Sequence, residues 1–329
     1  MKKSYTQPYK GTQPGSGEKG GKTIFRKFAK NFWRDRQLYL LILLGIGPFL
    51  VLHYGPIYGV QIAFRDYRIR DGIIGSQWVG LKWFKEFLTD PNFGRIFLNT
   101  LVLSLYSLVT FPFPILMALL FNAMKSDRYR KVTQTISYMP HFISITVFVG
   151  IMNMVFSPTS GLYGTIYRLL GGDGYPSDFR TLAGSFRHLY VWSGLWQSLG
   201  WQTILYTSAL SSVSKELHEA ASIDGASRFK RILYVDLPAI MPTVAIMLIL
   251  RMGGLISIGF EKAYLMQSPI NLATSELIST YVYKRGLSDF RRFSYGTAVG
   301  LFNTIINVTL MLITNFISKK VTENEISVL

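Results

Sequence analysis

The sequence predicts an all-α polytopic membrane protein with about six transmembrane helices. Three observations carry that prediction. Apolar residues make up 49% of the 329-residue chain, at a mean hydropathy of +0.25. Six apolar runs approach or exceed the roughly 20 residues that a spanning helix needs. Lysines and arginines bracket those runs instead of forming one stripe, which favours a membrane over nucleic acid as the partner of a +17 chain.

In order, the runs are Leu38–Ala63, Ile96–Asn122, Ile136–Phe156, Leu189–Val213, Ile240–Phe260 and Tyr295–Ile317. The first contains Gly45, Gly47, Pro48, Gly55, Pro56 and Gly59, and the second Pro112 and Pro114. In lipid such breakers are tolerated where neighbouring helices satisfy the freed backbone groups, so the spans are expected to pack together. A polar, glycine-rich basic tail, residues 1–36, precedes them without a signal-peptide pattern. Residues 37–318 are read as the transmembrane domain and 319–329 as a short tail. No loop reaches the roughly 40 residues below which a fold seldom stands alone.

Lysine and arginine placement orients the chain. The 1–36 tail carries ten, the 125–131 loop four, the 213–239 loop four and the C-terminal tail two, twenty in all. The alternate side, over 65–95, 157–187 and 268–292, carries thirteen on longer loops. Both termini and the 213–239 loop are therefore expected in the cytoplasm.

The absence of cysteine excludes disulfides, thiolate metal sites and a cysteine nucleophile. His53, His141, His188 and His218 lie far apart, with no metal-ligand spacing among them and no catalytic constellation. The tail segment GSGEKGGKT, Gly15 to Thr23, resembles a phosphate-binding loop but places Ser16 where the first glycine must stand, and no strand precedes it. No ATP site is read in this chain.

The cytoplasmic loop is the patterned element. Lys215 to Ile223 is rich in helix formers, and Gly225 suits the left-handed residue that ends a helix. Ser227 fits the N-cap of a second short helix expected to end before Pro238. Ala220 and Ala221 let another surface approach the backbone, and Glu219 lies one turn from Glu216 and Ile223. Such a helix either docks on a partner or lies on the bilayer surface, and its residues alone leave both open.

Glu219-Ala220-Ala221, then Asp224-Gly225-Ala226, then Leu237-Pro238 resemble the EAA loop of binding-protein-dependent ABC importer permeases. Val235 stands where that family often has isoleucine. The stretch GFEKAYLMQSP…STYVYKRGL, residues 259–287, is similar to the carbohydrate branch that handles oligosaccharides and polysaccharide fragments, alginate- and pectin-derived ones included. The resemblance implies a type I ABC importer permease fold in the bacterial plasma (inner) membrane. It implies coupling helices held in a cleft of separate ATPase subunits, with ATP and Mg on those chains and no cofactor on this one. It further implies a second homologous permease subunit, two ATPase subunits, an extracytoplasmic solute-binding protein and an oligosaccharide substrate, within membrane lipid and without nucleic acid. A secondary transporter or channel working without ATP would explain the breakers but not the loop, and a permease for a non-sugar solute is a third reading.

For the translocation path the candidates are Arg251, in the fifth run, and Glu261 and Tyr264 beyond its outer end. A charge at membrane depth either faces a wet interior or bonds the carbonyls of a broken helix. The outer loops carry Trp78, Trp83, Phe84, Tyr163, Tyr167, Tyr175, Tyr281 and Tyr283, read mostly as anchors or docking residues. Thirteen bases against eight acids on that side suit an acidic oligosaccharide or an acidic docking face.

Overall fold

The computed structural model describes residues 35–288 and 292–321, with side chains placed through Ile317. The phosphate-loop-like segment and all but the last two residues of the 1–36 tail lie outside the described residues, as does 322–329 of the C-terminal tail. The chain divides after Gly59 into two units. In the first, Arg36–Tyr54 is a helix that carries Pro48 internally and buries none of its residues, followed from Gly55 by a 3-10 segment.

The second unit, from Val60 onward, contains the remaining spans. The second predicted run is two helices, Phe93–Leu108 and Pro112–Asn122, joined by a short turn, with Pro112 in the first turn of the latter where its missing N–H is an orphan anyway. The fourth lies in one continuous 29-residue helix, Ala183–Ser211. At 1.5 Å per residue that is about 43 Å, longer than the roughly 30 Å hydrocarbon layer. The sixth lies in Phe293–Val321. Among the described residues, four helices are long and apolar enough to cross a membrane, and a fifth candidate is a bent pair. The Ala183–Ser211 helix has the length but a more polar composition, with Gln197, Gln202 and several serines along it.

The bent pair corrects the third predicted span. Asp127–Tyr138 is a polar helix capped by Ser126, and Ile145–Val155 is an apolar one of 11 residues, too short to cross alone. They meet at 97°. Pro140 lies in the 3-10 turn between them, Ile143 is extended, and the Ser144 hydroxyl accepts from Val147 N to start the next helix. The carbonyl of Ile143 freed at this corner accepts from Gln197 Nε2 at 2.9 Å. Gly200 of the long helix lies against the Ser137 carbonyl, and a Cβ there would collide with that backbone. The corner is thus a docked feature of the long helix.

The fifth predicted span is shifted. The helix that carries it runs from Arg228 to Gly253 and then breaks, and a separate helix begins at Phe260. At the break, Asn307 of the last helix accepts from Ile256 N at 3.0 Å and donates to Ser257 Oγ at 2.7 Å. A buried backbone interruption is satisfied by a neighbouring side chain, as a membrane interior requires.

The segment between the first two predicted spans adds a small antiparallel hairpin, Arg65–Arg68 with Ser76–Trp78, to the helical architecture. The structure also corrects part of the aromatic reading. Trp83 and Tyr281 are buried in the core around Phe87 and Tyr295, with Trp83 Nε1 donating to Arg65 O and Tyr281 OH to Asp90 Oδ2. Trp78 and Tyr175 remain exposed. Burial alone would raise the Asp90 carboxyl pKa, but the bonds from Tyr281 and Asn92 and the nearby Arg285 hold it below its usual value.

Candidate functional site

Lys215–Ile223 is the helix expected in the 213–239 loop. Ser214 caps its N-terminus by accepting from Glu216 N at 3.1 Å. Its C-terminus closes as a Schellman motif: Ala226 N donates to Ala221 O at 2.9 Å and Gly225 N to Ser222 O at 3.1 Å, with Gly225 at φ +74°. Only glycine adopts that backbone without strain, which is the chemical reason for the glycine in Asp224-Gly225-Ala226. Glu219, Ala220 and Asp224 are exposed and Ala221 is half-buried. Beside them Ile223 is 87% exposed, and Leu217, Phe229 and Tyr234 are also exposed. Apolar side chains gathered at a polar loop mark a surface that another body covers.

Beyond Gly225, Ser227 accepts from Lys230 N as the predicted N-cap. The expected stop before Pro238 does not occur. The helix passes into a π-helical segment, Ile232–Asp236, in which Leu237 N bonds Ile232 O, and continues as Leu237–Gly253. Proline cannot donate to the carbonyl one turn back, and the wider π register carries the helix past it. Leu237 and Pro238 therefore form the base of the fifth span and not the end of a separate element.

The π segment points Asp236 inward, where its side chain is 5% exposed. Asp236 Oδ1 receives His218 Nε2 at 3.2 Å and Asn122 Nδ2 at 3.1 Å. Arg231 NH1 also donates to Ser222 Oγ at 2.7 Å. The exposed helix is thereby fastened to the end of the second span through Asn122 and to the base of the fifth through Asp236.

The path candidates are divided between two places. Arg251, half-buried in the last turn of Leu237–Gly253, donates to Ser107 O at 3.4 Å. Glu261 lies in the first turn of Phe260–Met266 and accepts from Thr146 Oγ1 at 3.1 Å, and Tyr264 nearly one turn on packs against Phe260 and Tyr283. Among the described residues no hydrogen bond or ion pair joins Arg251 to either. Lys262, between them in sequence, is buried, donates to Tyr190 O at 2.9 Å and lies over the Tyr190 and Phe148 rings.

Residues 110–323 match the family described as binding-protein-dependent transport system inner membrane component. The chain belongs to that family. The matched residues include both the fastened loop and Arg251. The permease is 41% identical to Protein LplB of Bacillus subtilis over 288 residues, covering 87% of this chain and 90% of that protein. It is 38% identical to the polygalacturonan/rhamnogalacturonan transport system permease protein YteP of the same organism, over 89% of this chain and 91% of the other. It also superposes with a TM-score of 0.80 and 36% identity on a chain of a bacterial ABC transporter involved in the import of the acidic polysaccharide alginate, covering 90% of this permease and 99% of that chain. This is the type I ABC permease fold.

From the sequence His218 stands out only as one of four histidines without metal-ligand spacing, and Asp236 and Asn122 do not stand out at all. Their signal was present: a histidine directly before Glu219 and an acid directly before Leu237-Pro238, at the mouth of an apolar run where an unpaired carboxylate is costly.

Proposed function

We propose that this permease is one of two membrane subunits of an ATP-driven importer that carries oligosaccharides inward from an external binding protein, with the 213–239 loop and both termini on the cytoplasmic side. The observation that carries the reading is the exposed helix Lys215–Ile223, fastened at its base to two spans through Asp236. Its exposed face has an acid, small residues and large apolar side chains, the composition of a surface that fits a protein cleft. Its base has a desolvated carboxylate held by two other elements. A push on that face would move the second and fifth spans with it, which is the mechanical link an ATPase partner needs.

The substrate class follows the relatives. YteP serves polygalacturonan and rhamnogalacturonan transport, and the structural relatives include an alginate ABC transporter in complex with alginate pentasaccharide-bound periplasmic protein. An oligosaccharide, delivered by a binding protein, is the cargo these support. ATP and Mg belong to the partner ATPases, and Glu219, Ala220, Ala221, Asp224, Gly225 and Ala226 form the docking face. The test uses the cysteine-free background: Glu219→Cys, paired with single cysteines along the ATPase cleft, should crosslink in the assembled complex and change yield when ATP is added. Absence of crosslinking at every cleft position in a complex that assembles would remove the loop from the coupling interface.

A further inference from the structure

Arg251 carries a permanent charge in the last turn of Leu237–Gly253, among apolar helices and next to the Gly253 break. Such a charge is costly at membrane depth and is found paired, bonded to carbonyls or facing a wet cavity. A guanidinium has five N–H donors. The structure records one bond from it, 3.4 Å to Ser107 O, an acceptor it shares with Thr110 Oγ1. Among the described residues no carboxylate forms an ion pair with it. Lys262 differs in kind, since a carbonyl and two ring faces already surround its ammonium.

Beside Arg251 is a cavity of about 130 Å³ whose walls include Ser107, Thr110, Tyr190, Ser198 and Gln202. Gln202 Nε2 donates to Ser198 Oγ at 2.9 Å, which leaves its carbonyl oxygen to accept from another hydroxyl. This wall is polar, in contrast to the larger cleft between Ile145–Val155 and Ala183–Ser211, which is lined chiefly by aromatic and aliphatic side chains such as Phe148, Trp192 and Trp196. The cavity is too small for an oligosaccharide and ample for one carboxylate group with the ring edge that bears it.

We propose that Arg251 and this cavity form a carboxylate subsite that engages one uronate residue of an acidic oligosaccharide in transit. The inference rests on the reading of the chain as an oligosaccharide permease and adds the chemical class. The planar guanidinium fork matches a carboxylate in bidentate geometry, and the hydroxyl and amide groups around it suit the sugar hydroxyls. The subsite makes Arg251 a specificity residue: a neutral sugar would leave a half-buried charge unpaired.

The experiment is uptake into proteoliposomes containing the complete importer with its binding protein. The probes are trigalacturonate and trimannuronate, each beside its carboxyl-reduced neutral counterpart. Variant and wild type are compared on one probe with one binding protein, so differences in loading cancel. Arg251→Gln should raise the half-saturating concentration for an acidic trimer roughly tenfold to a hundredfold and leave the neutral trimer within about twofold. Arg251→Lys, which keeps the charge without the fork, should fall between. Where wild type carries only acidic trimers, recovery by Arg251→Lys but not by Arg251→Met carries the same information. Equal loss on acidic and neutral probes, or no change on either, overturns the subsite, and so does a wild type that carries neutral trimers alone. A wild type that carries neither class, with ATPase activity intact, removes the oligosaccharide reading itself.

Discussion

Cutting the fastening between His218 and Asp236 should release the loop helix without unfolding the bundle. The Asp236 side chain is 5% exposed and its Oδ1 has two partners, His218 Nε2 at 3.2 Å and Asn122 Nδ2 at 3.1 Å. His218→Ala leaves the carboxylate with one neutral amide and opens its side to water. A hydrogen bond to a charged group contributes about 1.5–3 kcal/mol net, which is roughly a tenfold to 150-fold change in the closed population. His218→Gln keeps a donor at similar reach and should recover most of the loss. The assay is hydrogen exchange of the amides from Glu219 to Ile223 in the purified permease, which reports local opening directly. His218→Ala should lower their protection by that factor while amides of Ala183–Ser211 stay unchanged. A double-mutant cycle with Asp236→Asn should return a coupling energy above about 1 kcal/mol. Unchanged protection in His218→Ala, or additive effects in the cycle, would refute the idea that this pair fastens the helix.

Four further outcomes are expected. Glu219→Lys should weaken ATPase association or abolish stimulation of ATP hydrolysis by loaded binding protein, while Glu323→Lys in the C-terminal tail should do neither; reconstituted ATPase activity reads both. Gly225→Val forces a β-branched residue to φ +74°, costs about 1–2 kcal/mol and should leave expression intact while uptake falls. Gly200→Val drives its side chain into the Ser137 carbonyl and should lower the thermal stability of the purified permease by about 1–3 kcal/mol, read as a shifted melting curve. In the segment before Ala183–Ser211, hydrogen bonds from Arg180 at 2.7 and 2.5 Å hold the Asp178 carboxyl below its ordinary value, so the contribution of this pair is complete above that value and lost as pH falls through the lowered one. Melting of wild type against Asp178→Asn should diverge near neutral pH and converge in strong acid.

What the sequence made legible was whatever local chemistry decides. Gly225 was readable as a left-handed residue because few other reasons place glycine between an alanine-rich helix and a serine cap. The long apolar runs were readable because the lipid interior admits few alternatives to helix. The third span was misread because hydropathy counts residues and does not register direction: Pro140 and Ser144 turn the chain through 97° within an apolar run. Pro238 was misread for the opposite reason, since a proline that ordinarily stops a helix is carried by the π register before it. Trp83 and Tyr281 were read as surface anchors because nothing in the loops announces that 65–92 and 278–282 fold inward onto one core. The fastening of His218 to Asp236 and Asn122 joins positions 18 and 114 residues apart from Asp236, a distance over which pattern carries no information.

ATP hydrolysed on partner chains should drive cargo through this permease by way of the fastened loop. The most direct measurement is uptake of labelled oligosaccharide into proteoliposomes holding the complete complex, with ATP inside or absent and with wild type beside His218→Ala. Uptake should require both ATP and loaded binding protein, and should fall in His218→Ala while the complex still assembles. Uptake that proceeds equally without ATP, or that is undiminished by His218→Ala in an assembled complex with a loosened loop, would contradict this coupling.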